Sequence, residues 1–230
     1  MALFSGMRRL IALVVVLPSL AGCAINQPTV HIDYIDFVQL GGITYVASWT
    51  SPSRPLQESD LGAVYAHVKV KLEGTSDPGH QLQEGDAGFL EAGTAVYAVT
   101  GYRTSFRLAA TNQGRLTLYE ADTNPKARVG ADLVDLADKV LYIGVNSASD
   151  WHTELAAIKD PASVQKLVAL VEAGTVDQTT QPGDGLMYFI DFHMADGTEV
   201  LRAYWPNSSQ LQRGIHVPEA FRLAISVAVG

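Results

Sequence analysis

Cysteine is almost missing from this chain: one residue in 230, Cys23. A single thiol closes no intrachain disulfide, so a folded body of this size must be held by its hydrophobic core. Charge is also sparse, at 17% of residues, with 16 basic against 24 acidic side chains and a formal charge of −8. An acidic balance excludes nucleic acid as a partner, because phosphate binding is dominated by Lys and Arg. It also offers no attraction to anionic lipid headgroups. No apolar run approaches the roughly 20 residues needed to cross about 30 Å of hydrocarbon as a helix. H-E-x-x-H, G-x-S-x-G, P-loop and G-x-G-x-x-G patterns are lacking, so no catalytic residue, no metal ligand set and no cofactor is assigned. Fixed-period repeats, coiled-coil heptads and low-complexity tracts are lacking too.

The N-terminus is the most informative stretch. Arg8 and Arg9 precede the short apolar run Leu10–Leu17, Pro18 breaks it, and small residues lead to the cysteine, the pattern of a secretory signal over Met1–Gly22. Leu20-Ala21-Gly22-Cys23 resembles the lipobox of bacterial lipoproteins, in which cleavage before the cysteine is coupled to its acylation. The expectation is a lipidated Cys23 at the mature N-terminus, a tether over residues 23–30, and a body held at the extracytoplasmic face of a bacterial membrane by its acyl chains. A lipidated Cys23 is no nucleophile, which removes Cys–His chemistry. The leader holds two of the basic residues and no acidic ones, so the remainder carries a formal charge of −10. Seven tether residues, Ala24–Val30, reach at most about 25 Å.

From residue 31 to about 130 the pattern is short β-runs broken by Gly, Pro and Asp. Gly41-Gly42 predicts a two-residue hairpin pairing Phe37 with Val46 and Val38 with Tyr45. Val64, Ala66, Val68, Val70 and Leu72 alternate as the buried face of a strand. At least six strands and no helix predict an antiparallel sandwich or barrel-like domain. Residues 131–230 change texture. Val140–Asn146 and Thr153–Ile158 read as paired strands. Asp160 caps a helix that Pro161 opens and Gly174 ends, with Val164, Leu167, Val168 and Val171 on one face. A hairpin about Asp196-Gly197 and a terminal helix after Pro218 complete an antiparallel sheet with two packed helices. The fold class expected is α+β.

Phe89-Leu-Glu-Ala-Gly-Thr-Ala-Val-Tyr97, Gly101-Tyr102, Phe106-Arg-Leu-Ala-Ala110 and Leu118-Tyr-Glu-Ala121 resemble a family of uncharacterised bacterial lipoproteins. The Asp160-Pro161 helix, Asp-Gly hairpin and closing helix are similar to a domain appended to many surface lipoproteins. Neither resemblance brings an activity, so they imply location and architecture only.

Read as a two-residue turn, Asp196-Gly197 sets Asp191 opposite Arg202, His193 opposite Val200 and Phe189 opposite Tyr204, with Leu201, Ala203 and Trp205 on the core face beside Tyr188, Ile190, Phe192 and Met194. Asp191, His193 and Arg202 then share an outer face and are candidates for binding or acid–base work, weighed against a solvated face carrying one ion pair. His31/Asp33 and Asp191/His193 each place two metal-ligand types on one strand face, and neither has a third at a diagnostic spacing. Trp49 and Trp151, at strand–loop boundaries, suit recognition of a glycan or peptide, and otherwise cap the core edge. Function is expected to be a non-catalytic binding or interaction module with an envelope protein or glycan partner. The alternative is an envelope hydrolase with an Asp/Glu/His site assembled by the fold, to which Glu58 and Asp60 are further acidic candidates.

Overall fold

In a computed structural model, residues 35–48, 50, 54–74 and 79–230 are described. Cys23, Trp49, His31, Asp33 and the whole leader and tether lie outside them. The described residues are β-rich, with two sheets and two α-helices among them.

The first sheet has eight strands: β1 Phe37–Leu40, β2 Ile43–Ala47, β3 Leu61–His67, β4 Val70–Lys71, β5 Asp86–Ala87, β6 Ala95–Val99, β7 Arg107–Asn112 and β8 Arg115–Thr123. The β1–β2 hairpin has the expected register, Phe37 with Val46 and Val38 with Tyr45. Gly41 and Gly42 have φ of +61° and +75°, a left-handed pair that only glycine adopts without a steric penalty. Strand order is β3-β6-β7-β8-β2-β1-β5-β4. The two ends of that order are consecutive in the chain, joined by Val68 and Lys69. Val68 N–H donates to Thr94 O on the β6 side and Lys69 N–H to Gly85 O on the β5 side, so the sheet curls into a half-barrel. Pairing is antiparallel except for β4 with β5, which is parallel. The alternation expected along β3 and β4 holds only for Ala66, Val68 and Leu72. Val64 and Val70 are exposed; at Val64, register shifts at Leu61/Val64 and Val64/Ala66 reset which side chains face inward.

The second sheet has seven strands, all antiparallel: β9 Val140–Ser147, β10 Glu154–Ile158, β11 Thr175–Val176, β12 Tyr188–Met194, β13 Glu199–Trp205, β14 Gln210–Leu211 and β15 Ile215–His216. Helix α1, Pro161–Glu172, begins where the Asp160 carboxylate accepts from Ser163 N–H, and it buries Val164, Leu167, Val168 and Val171. Helix α2, Glu219–Val229, buries Phe221 and Ile225. Both pack on the sheet face carrying Ile143, Val145, Ile190, Phe192, Val200 and Tyr204, which leaves the opposite face to build a site.

Residues 31–230 cluster as one compact unit, and a charged knot ties the sheets together within it. Glu120 of β8 is 2% exposed and meets three arginines. Arg107 Nη2 of β7 donates to its Oε1 at 2.8 Å, Arg202 Nη1 of β13 lies 2.9 Å from Oε2, and Arg213 Nη1 lies 3.9 Å away. Burial pushes the Glu120 carboxyl up, and Arg202, Arg107 and Arg213 overcome that to hold it down at about 2. Arg107 also donates to Thr198 Oγ1 and Glu199 O, both at 2.7 Å, fixing the start of β13.

Candidate functional site

The β12–β13 hairpin decides what lies on the free face. Its loop has three residues, Ala195-Asp196-Gly197. Met194 N–H donates to Thr198 O at 2.9 Å and Gly197 N–H to Met194 O at 3.0 Å. Gly197 takes φ of +80°, the left-handed position of a type I turn with a bulge. Asp196 Oδ1 accepts from Thr198 N–H and its hydroxyl, which stabilises this longer loop. The register is therefore one residue away from the two-residue reading: Asp191 pairs with Leu201, His193 with Glu199 and Ile190 with Arg202.

A slip of one residue exchanges the two faces of a strand. Arg202 consequently leaves the expected cluster. It points through the inner face to Glu120 and is 2% exposed. Val200 and Tyr204, not Leu201, Ala203 and Trp205, share the face of Ile190 and Phe192. The place given to Arg202 is taken by Glu199, which the two-residue register had turned inward. Asp191, His193 and Trp151 do come together, and Trp49 lies outside the described residues. Glu58 and Asp60 form a 3-10 turn elsewhere, with Asp60 paired to Arg54 at 2.7 Å.

The result is a groove of about 230 Å³ whose lining includes Asn146, Trp151, Glu154, Asp191, His193 and Glu199. Asp191 Oδ2 lies 3.4 Å from His193 Nε2, and Glu199 Oε1 lies 3.6 Å from His193 Nδ1. Asp191, His193 and Glu199 each offer a ligand atom within 4.8 Å of the others. The His193 ring is stacked on Tyr142, with centroids 4.0 Å apart and planes 10° off parallel, which fixes its orientation. Gly144, opposite Asp191 on β9, keeps the floor open: a Cβ there would stand 3.3 Å from Asn146 Oδ1 and Glu154 Oε2 and 3.4 Å from His193 Nε2.

Electrostatics in the groove run against free charge. Burial, then Glu199 and Glu154, push the Asp191 carboxyl up to about 7. Burial also lowers His193, which Lys159 reinforces and Glu154 opposes, and burial raises Glu199 against the pull of His152. Burial thus disfavours the charged form of both partners in the Asp191–His193 approach. Among the described residues, two buried oxygens, Asp191 Oδ1 and Asn146 Oδ1, have no hydrogen-bond partner although each residue is only 6% exposed. Such an acceptor costs about 1–3 kcal/mol unless something supplies a donor or a cation. Trp151, at the mouth, has φ of +59°, sparsely populated for a bulky side chain. It is held by Trp151 N–H donating to Ser147 O and by Asn146 Nδ2 donating to Trp151 O. Backbone strain of this kind concentrates at functional sites.

Sequence reasoning found Asp191, His193 and Trp151. It missed Glu199, Glu154, Asn146 and Tyr142, which join only through pairing across β10, β9, β12 and β13. A readable signal existed for Glu199: a Gly closing a three-residue loop is the second commonest hairpin form. No family model matches the chain, and no curated protein or solved structure gives a match either.

Proposed function

We propose that this chain is a lipid-anchored protein of the bacterial envelope that binds a small cationic ligand in the groove between Trp151 and Glu199. The anchor reading rests on the lipobox-like Leu20–Cys23 stretch; no helix among the described residues is long and apolar enough to cross a membrane. Two acyl chains or more, at about 0.8 kcal/mol per buried CH₂, would hold an acidic body that anionic lipid repels. We read the curled first sheet as a barrel-like scaffold that braces β13 through Arg107.

The binding reading is carried by Asp191: a buried carboxyl with one oxygen unpartnered, flanked by Glu154 and Glu199. A cation supplies the partner that the chain withholds. The volume, about 230 Å³, falls below the roughly 300–1,000 Å³ of sites for drug-sized molecules, so the ligand is small. The test is thermal unfolding of the detergent-solubilised full chain with putrescine, guanidinium, divalent metal salts or sulfate. Cations of at least one class should raise the midpoint, sulfate should not, and Asp191→Asn should abolish the effect. No response to any cation, or a response that survives Asp191→Asn, overturns the reading.

One observation favours the hydrolase alternative: the 3.4 Å approach of Asp191 to His193 is the geometry of an oriented imidazole base. The only hydroxyl among the described lining residues is that of Thr50, and it is engaged with Ser48 at 3.0 Å. Recovery of the bound ligand chemically unchanged separates binding from turnover.

A further inference from the structure

The geometry points to a divalent transition metal of the zinc class as the groove's ligand, held by His193, Asp191 and Glu199 with the open position facing Glu154 and Asn146. This inference rests on the cationic-ligand reading above and narrows it to one chemical class. Three observations carry it. First, the three side chains each bring one donor atom within 4.8 Å of the others, so small rotamer adjustments would bring them to the roughly 2.0–2.2 Å of metal–N and metal–O bonds. Three protein ligands including an imidazole, with one position left over, is the ligand count of open zinc sites.

Second, an independent oxygen outside that trio is aimed at the same space. Asn146 Oδ1 is buried and unpartnered, while its Nδ2 is spent on Trp151 O at 3.0 Å. It faces the point above Gly144 from which His193 Nε2 stands 3.4 Å and Glu154 Oε2 3.3 Å. A nitrogen and two oxygens from three strands around one spot that a methyl group would fill is a cradle for an atom or a water bound to one.

Third, the donor chemistry selects among cations. Mixed imidazole and carboxylate suits zinc and its neighbours, whereas magnesium and calcium prefer oxygen alone. An organic ammonium can also donate to that imidazole nitrogen, so putrescine and guanidinium are the competing probes in the test. The stacked Tyr142 holds the His193 ring in a fixed orientation, with centroids 4.0 Å apart.

The experiment uses the detergent-solubilised full chain with no oligohistidine tag, stripped by chelator, dialysed, and titrated calorimetrically with zinc chloride. One zinc per chain is expected, with magnesium and calcium binding at least about 100-fold more weakly. Affinity should fall about 100-fold or more in His193→Ala and in Asp191→Asn combined with Glu199→Gln. His80→Ala, which breaks the other buried-carboxylate histidine pair (His80 to Asp86, 2.7 Å), should leave it unchanged. Metal-free unfolding midpoints establish that each variant folds, and if His193→Ala does not, Glu199→Gln on the groove rim substitutes for it. Cobalt in place of zinc should give visible ligand-field absorption that the same variants lose. The metal assignment is overturned by an absence of zinc binding, or by zinc binding that these variants leave intact. If zinc fails while putrescine or guanidinium still stabilises the chain through Asp191, only the metal assignment falls. If every cation fails, the cationic-ligand reading falls with it.

Discussion

Replacing Glu120 by Gln tests how the two sheets are joined. The substitution keeps the shape and removes the one negative charge that Arg107, Arg202 and Arg213 share. Arg107 and Arg202 are at most 2% exposed, and the nearest further anion, Asp122, reaches only Arg213, at 3.3 Å. Removing one partner of a buried ionic network leaves uncompensated charge and costs about 3–5 kcal/mol. Titration gives a separate measure. A Glu held at about 2 against an ordinary 4.5 stabilises the fold by about 3 kcal/mol, at about 1.4 kcal/mol per unit. A carboxyl with a depressed folded pKa gives its full contribution above pH 4.5 and loses it as pH falls towards 2. Urea titrations of wild type and Glu120→Gln should differ by about 3–5 kcal/mol at pH 7, and the gap should close between pH 4.5 and 2. Because other carboxylates titrate in the same window, the difference between the two proteins is the quantity to follow. In thermal unfolding the loss corresponds to about 6–20 °C at this chain length. A difference below about 1 kcal/mol at pH 7, or one that does not narrow in acid, would refute the reasoning.

Further outcomes follow from single contacts. Asp160→Ala removes the acceptor for Ser163 N–H at the start of α1 and should cost about 1 kcal/mol by urea denaturation. Gly130→Ala would set a Cβ 2.0 Å from Val171 O, a backbone atom that cannot rotate aside, so its loss should exceed the roughly 1–3 kcal/mol of ordinary overpacking, read as lost folded yield. Tyr142→Ala removes the ring stacked on His193 and should weaken cation binding while moving the metal-free unfolding midpoint by only a few degrees. Cys23→Ser should leave an uncut precursor in membrane fractions, and mass spectrometry of the native N-terminal peptide should show diacylglycerol on Cys23; an unmodified Cys23 in a soluble fraction would sink the anchor reading.

What the sequence discloses and what it hides divide along the range of the interactions. Helix α1 was legible because its signals are local: Asp160, Pro161 and four apolar residues at helical spacing within twelve positions. The Gly41-Gly42 hairpin was legible for the same reason, since two adjacent glycines leave few turn geometries. The alternation expected around Val64 fails because bulges change the period without any marked residue. Short strands β4, β5, β11, β14 and β15 are two residues each, too brief for a periodic signal. The groove was half legible. Asp191 and His193 share a strand, but Glu154, Asn146 and Glu199 reach them only through sheet pairing, which depends on registers that a linear pattern does not encode.

The register of one hairpin assigns two roles at once. With a two-residue turn, Arg202 would stand on the free face beside Asp191, and Glu199 would point at the helices. That arrangement would neutralise the groove with a guanidinium and strand Glu120 with one fewer cation in the interior. With the three-residue loop, Arg202 completes the Glu120 knot and Glu199 completes the acidic groove, so each face receives the charge its surroundings can use. The two are also mechanically linked. Arg107 Nη2 donates both to Glu120 Oε1 at 2.8 Å and to Glu199 O at 2.7 Å. The interior knot therefore positions the residue that faces His193 on the opposite side of the sheet. Loss of Glu120 should accordingly weaken cation binding in protein that remains folded, although no atom of Glu120 faces the groove. Gly197 is the point on which this turns: at φ of +80° it closes the longer loop, and a β-branched residue there would favour neither register.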